Sequence, residues 1–169
     1  MPSAATRASP CDGCDSRCCR TYAVQVTGTD ALRIARATGR DLVEFLAFRP
    51  EVSRTEAGFL VERGGPTYDL ILQTARTGEP REPCVFLAPA PSGGEGRCGV
   101  YPHRPAACRR FPAVPLEAGG VGVRAGICCP DGAWAGRPMD RLSARVAIAR
   151  EAREAALHAV VVADWNARV

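Results

Sequence analysis

The chain contains no lysine; all 22 of its basic residues are arginine. That reads as a bias toward GC-rich codons and carries little functional information. Histidine is nearly absent too, with only His103 and His158, so any metal site here must be built almost wholly from other donors. Long apolar runs are missing. The most apolar stretch, "LHAVVVADW", is far shorter than the ~20 residues a spanning helix needs, so no membrane association is expected. The opening "MPSAATRASP" has no apolar core of a signal peptide, which makes the cytoplasm, where thiols stay reduced, the expected compartment. The net charge of +4 is interspersed, with no basic tail or stripe, so no nucleic-acid partner is expected. No Ser/His/Asp set, phosphate-binding loop or carboxylate pair stands out, which removes the usual signals of hydrolysis and phosphoryl transfer.

What is abundant is glycine, proline and cysteine, with 17, 14 and 9 copies in 169 residues. The length suits a single domain. The glycines and prolines predict short elements separated by turns. No internal repeat or low-complexity linker is present. We read residues 1–10 as a loose arm, 11–136 as a cysteine-cluster metal-binding domain and 137–169 as a helix packed on that domain.

Local signals refine this α+β reading of short strands and hairpins around a cysteine metal site, with a long C-terminal helix. "TYAVQVT" (21–27) alternates as a short strand. Asp30 or Thr29 caps a helix of about two turns ending near Gly39. Asp41 and Glu44 form a capping box for a second helix, with Leu42, Phe45 and Leu46 on one face and Pro50 as its stop. "GFLVE" and "YDLILQ" read as strands on either side of Gly64, Gly65 and Pro66. "CVFLA" with "RCGVY", and "AVPLE" with "VGVRA", read as two hairpins. "RPAACRRFP" is a short helical turn. From Asp140 to about Trp165 the pattern is helical, with Leu142, Val146, Ala149, Ala156, Val160 and Ala163 as the buried stripe. That helix is expected to supply the conventional core, and the Gly/Pro-rich middle to have little to bury. A metal would offset the shortage, because binding energy at a thiolate site is also folding energy.

The cysteines are not scattered. "CDGCDSRCC" holds Cys11, Cys14, Cys18 and Cys19, and Cys84, Cys98, Cys108, Cys128 and Cys129 follow. In a reducing compartment such numbers read as ligands or redox groups before disulfides, and an odd total would leave one thiol unpaired. The C-x2-C spacing lets one turn deliver two sulfurs to a single ion. If residues 11–19 are helical, Cys11, Cys14 and Cys18 share a face and Cys19 points ~100° away. If they are extended, Cys18 and Cys19 face opposite ways. Either way the two neighbours serve different roles. Soft thiolates select zinc, Fe–S clusters or Cu(I) and disfavour magnesium or calcium.

Taken together, "CDGCDSRCCR", "CVFLAP…GRCGVYPHRPAACRRFP" and "CCPDGAW" resemble the YkgJ-type cysteine-cluster family, described as zinc- or iron-chelating with a CxxCxxCC signature. The resemblance implies eight metal-binding cysteines, which fall on Cys11, Cys14, Cys18, Cys19, Cys84, Cys98, Cys108 and Cys129. The match to Cys129 rests on the following Pro130, and Cys128 becomes the extra thiol. One departure stands out: three residues, "DSR", precede the Cys-Cys pair where the signature has two. The implied cofactor is Zn or Fe, in a mononuclear, dinuclear or Fe–S form. A similar cluster in flagellin lysine methylases implies an alternative, an iron-dependent redox or methyl-transfer enzyme. A thiol redox sensor centred on Cys128 and Cys129 is a third reading. Among the flanking residues, Arg104, Arg109 and Arg110 read as solvated arginines on a short helix whose guanidinium groups would also offset thiolate charge, His103 as a surface or packing residue, and Trp134 and Trp165 as core or boundary residues.

Overall fold

The computed structural model describes residues 16–50, 58–75, 82–89, 96–129 and 141–169. Cys11, Cys14 and Trp134 lie outside them. Within them the chain is α+β, with four helices and three small antiparallel sheets.

The first helix, α1 (Arg17–Thr21), carries Cys18 and Cys19. The segment after it, expected as a strand, is one only in part. Gln25 bridges Ile71, the Val26 N–H donates to the Leu70 carbonyl at 2.9 Å, and the Leu72 N–H donates to the Val24 carbonyl at 2.9 Å. Helix α2 (Gly28–Thr38) starts earlier than expected and runs three turns. Its cap is Thr27, whose side chain accepts from the Asp30 N–H while the Asp30 carboxylate accepts from the Thr27 N–H. Gly39, at φ 69°, ends it in the left-handed conformation that glycine adopts without a Cβ clash.

The capping box of Asp41 and Glu44 forms, but it closes a single 3-10 turn (Leu42–Glu44) and no helix follows. The chain instead enters β1 (Leu46–Pro50), because its partner is available: β3 (Thr67–Leu72) pairs with it antiparallel from Leu46↔Leu72 to Pro50↔Tyr68. Strand β2 (Phe59–Leu60) adds to the other edge of β3, giving the order β1-β3-β2. The two expected hairpins are present as β4 (Leu87–Ala88) with β5 (Arg97–Cys98), and β6 (Ala113–Pro115) with β7 (Val121–Val123). Between them lies the short α3 (Ala106–Arg110).

The core sits in the middle of the chain, contrary to expectation. Val26, Ile34, Phe45, Leu72, Cys84, Phe86 and Val100 form its buried cluster, with Cys19 and Cys98 packed against it. The Phe45 and Phe86 rings meet at 5.4 Å. The long helix α4 (Arg141–Asn166) contributes only Ala144, Val162 and the carboxylate residue Glu154 as buried positions. Its predicted stripe faces the other way: Leu142 is 73% exposed, Val146 60% and Val160 68%.

A polar hub takes the place of the missing apolar contact. Asp30, 1% exposed, accepts from the Thr27 N–H, the Thr27 hydroxyl, the Ala106 N–H and the Arg33 guanidinium. Arg33 also donates to Glu154 Oε1 at 3.2 Å, and Arg150 to the same oxygen at 2.7 Å. One acidic–basic chain thus joins α2, α3 and α4, and it is satisfied on most of its atoms, as a buried charge must be. Among the described residues no helix is long and apolar enough to cross a membrane.

Candidate metal centre

Four segments bring cysteines together: α1, the turn before β4, the end of β5, and α3. Their approach is set by backbone hydrogen bonds. The Cys84 N–H donates to the Cys19 carbonyl at 2.7 Å, which ties α1 directly to the hairpin. Thr74 bridges Cys84 from the other side. The Leu87 N–H donates to the Cys84 carbonyl at 2.8 Å and closes a tight turn before β4. Across the hairpin, Leu87 pairs with Cys98.

A second tie fixes the approach to α1. Ser16, the residue before the helix, sits at φ 57°, and its hydroxyl donates to the Gly96 carbonyl. A non-glycine residue held there costs about 1 kcal/mol, so the bond to Gly96, just before β5, has a strained geometry to hold. Gly96 itself could carry no side chain, since a Cβ would come within 2.8 Å of the Ala88 carbonyl and 2.9 Å of the Leu87 side chain. The two ties therefore hold α1 to the residues that lead into β4 and β5, which bear Cys84 and Cys98.

The thiols share one buried neighbourhood. Cys84 is buried, and Cys18, Cys19, Cys98 and Cys108 are partly buried. Cys18 Sγ lies 4.0 Å from Cys19 Sγ. The hydrogen bond with Cys19, and then burial, push the Cys18 thiol far up. Burial pushes up Cys84, Cys98 and Cys108, and a charge on Cys18 pushes each of them further. Cys108 responds to Cys84 and Cys98 as well. Four sulfurs from four segments thus lie within electrostatic reach of one another, with Cys18 raising the other three.

Opposing this, some donors are already aimed at sulfur. The Phe86 N–H lowers Cys84 and the Val100 N–H lowers Cys98, each two residues beyond its cysteine. That offset places backbone donors where a thiolate would accept them. The Arg104 guanidinium lowers Cys98 and Cys108 while lying 4.0 Å over the Tyr101 ring. It is not a merely solvated arginine. Its neighbours are not either: Arg109 Nε donates to the Arg104 carbonyl at 3.0 Å, and Arg110 donates to the Ala113 carbonyl at 2.8 Å and pairs with Glu151. His103 is exposed, as expected, and Trp165 is a boundary residue whose indole N–H donates to the Leu60 carbonyl at 2.7 Å.

Cys128 is closer to the group than its reading as a spare thiol implied. Its N–H donates to the Tyr22 hydroxyl at 3.2 Å. Burial raises its thiol, the Tyr22 and Thr21 hydroxyls lower it, and Cys18 raises it. Cys129, partly buried, follows it. An open groove of about 280 Å³, lined by Arg20, Thr21, Tyr22, Ala23, Thr74 and Glu82, borders this side.

Among the described residues, no three His, Cys, Asp or Glu side chains converge closely enough to grip one ion. The fit to a metal therefore rests on the chemistry of the donors. They are soft, buried together and mutually repelling once ionised, and they are supplied with N–H donors but with little positive charge. A zinc or iron cation matches what that set lacks. Sequence reasoning singled out these cysteines and missed the Cys19 carbonyl, Ser16 and the Asp30–Arg33–Glu154 hub. Of these, only the Thr27–Asp30 spacing carried a signal, that of a helix cap.

No curated protein and no solved structure matches the chain. Residues 10–129 match the family model CxxCxxCC, described as "Putative zinc- or iron-chelating domain". The match covers most of the chain, and the protein belongs to the CxxCxxCC family.

Proposed function

We propose that this protein chelates zinc or iron in a reducing compartment, through the thiolates of Cys18, Cys84, Cys98 and Cys108. The observation that carries this reading is that Cys18, Cys84, Cys98 and Cys108, one buried and three half-buried, come from four separate segments into one neighbourhood, near enough for a charge on Cys18 to raise the other three. Cys11, Cys14, Cys19 and Cys129 complete the eight-cysteine pattern and supply enough further donors for a second ion or an Fe–S cluster. A bound cation would supply the positive charge that the buried thiolates lack. The Phe86 and Val100 N–H groups would orient Cys84 and Cys98, and Arg104 would offset residual negative charge at Cys98 and Cys108.

Elemental analysis of anaerobically purified protein tests this. Stoichiometric zinc in a colourless sample supports a closed thiolate site. Iron with sulfide and visible absorption supports a cluster. A protein that is fully folded and carries neither metal defeats the proposal.

A second reading, thiol sensing, is favoured by the position of Cys128 beside Tyr22 and within electrostatic reach of Cys18. If Cys128→Ser keeps its metal but loses an oxidation-dependent change, sensing gains support. If the oxidative response is untouched, it loses it.

A further inference from the structure

One side chain outside the thiol set reaches three of the cysteine-bearing segments. Tyr22 closes α1, and its N–H donates to the Cys18 carbonyl at 3.2 Å. Its ring meets that of Phe111 at 5.6 Å, three residues beyond Cys108 and just past α3. Its hydroxyl accepts from the Cys128 N–H at 3.2 Å, across 106 residues of chain. The hairpin with Cys84 and Cys98 is held by other means, the Cys19 carbonyl and the Ser16 hydroxyl.

Packing accounts for the ring and leaves the hydroxyl over. A phenylalanine here would meet Phe111 equally well, and Tyr22 is 37% exposed and outside the apolar core cluster. What the hydroxyl adds is a hold on Cys128. It takes the Cys128 N–H, and with the neighbouring Thr21 hydroxyl it bears on the Cys128 thiol. Cys18 lies within electrostatic reach of the same thiol. The other end of this segment is also fixed. The Arg124 N–H donates to the Pro112 carbonyl at 2.9 Å, next to Phe111, and Gly126 turns the chain at φ 64° before Cys128. The chain leading to Cys128 and Cys129 is thus guided from Pro112 and caught by Tyr22.

From this we propose that Tyr22 is a positioning residue, whose hydroxyl carries the Cys128–Cys129 pair to the thiols of α1 and fixes where the last donors of the centre stand. The role rests on the proposed chelating function. One residue grips Cys18 through its backbone and Cys128 through its hydroxyl, so the length of a tyrosine sets the span between α1 and the pair. Loss of the hydroxyl would leave α1 and α3 in place and release the pair alone.

Zinc loss from the loaded full chain to excess EDTA, followed anaerobically, tests this. Tyr22→Phe keeps the ring on Phe111. It should release zinc about threefold to tenfold faster than the native chain, with the urea midpoint of the metal-free chain unchanged. In a Cys129→Ser background the same substitution should change the rate no further, because the donor it places is already gone. An unchanged rate in Tyr22→Phe overturns the role, as does an equal acceleration with and without Cys129. Where the native chain or Cys129→Ser retains no zinc, amide hydrogen exchange of residues 127–129 in the metal-free chain decides. Faster exchange in Tyr22→Phe upholds the hold on Cys128, and equal exchange overturns it. A native chain that binds neither zinc nor iron therefore defeats the chelating function separately from the role of Tyr22.

Discussion

Loading the metal-free protein with zinc at neutral pH should expel close to four protons per ion. The number follows from the thiols. A cysteine at its ordinary value of 9.0 is only about 1% ionised at pH 7, and Cys18, Cys84, Cys98 and Cys108 are all pushed above that value. Each therefore holds its proton until the cation displaces it. Four displaced protons make the logarithm of the apparent affinity climb about four units per pH unit near neutrality. Anaerobic titration calorimetry in two buffers of different ionisation enthalpy counts these protons directly. Cys108→Ser should lower the count by one while leaving the fold intact, since Cys108 lies on the short α3 and outside the apolar core cluster. A count of two or fewer, unmoved by Cys108→Ser, would refute a centre built on this quartet.

The same thiols make the metal-free fold sensitive to alkali. Their folded-state values are raised, so their contribution is fully present below 9.0 and is lost as pH rises through the folded values. Urea midpoints of the metal-free chain should fall as pH rises above about 9, and bound zinc should abolish the fall. Asp30→Ala removes the shared acceptor of Thr27, Arg33 and Ala106 and leaves Arg33 half-paired, which should cost about 3–5 kcal/mol in chemical denaturation. Phe45→Ala, at a fully buried position in the core, should cost a similar ~3–5 kcal/mol. Arg104→Met should lower zinc affinity several-fold without moving the urea midpoint of the metal-free chain by more than about 0.5 kcal/mol equivalent, because Arg104 acts on Cys98 and Cys108 through charge.

The family was legible because its signature is made of side chains, and those survive as letters in the chain. The two hairpins were legible for a local reason: their turns are rich in glycine and proline. Where partners distant in sequence decide, local signals misled. Asp41 and Glu44 form their capping box, yet Leu46–Pro50 pairs with β3, and that pairing outweighs the start of a helix. In α4 the periodicity was right and the face wrong. Alanine and valine recur around the helix, and the choice of buried side is made by Glu154, which answers Arg33 from 121 residues away. A charge buried through a remote partner leaves no mark in the apolar pattern. The Cys19 carbonyl was invisible for a related reason, since a backbone acceptor has no letter of its own.

That span between Arg33 and Glu154 also has a consequence in time. The ribosome completes the proposed quartet at Cys108, while Arg33 still waits for the acid that will answer it. Under the proposed function, metal capture would begin on a nascent chain whose polar hub is unfinished. Closure of α4 onto Arg33 then acts as the last latch, set after the thiols have been made.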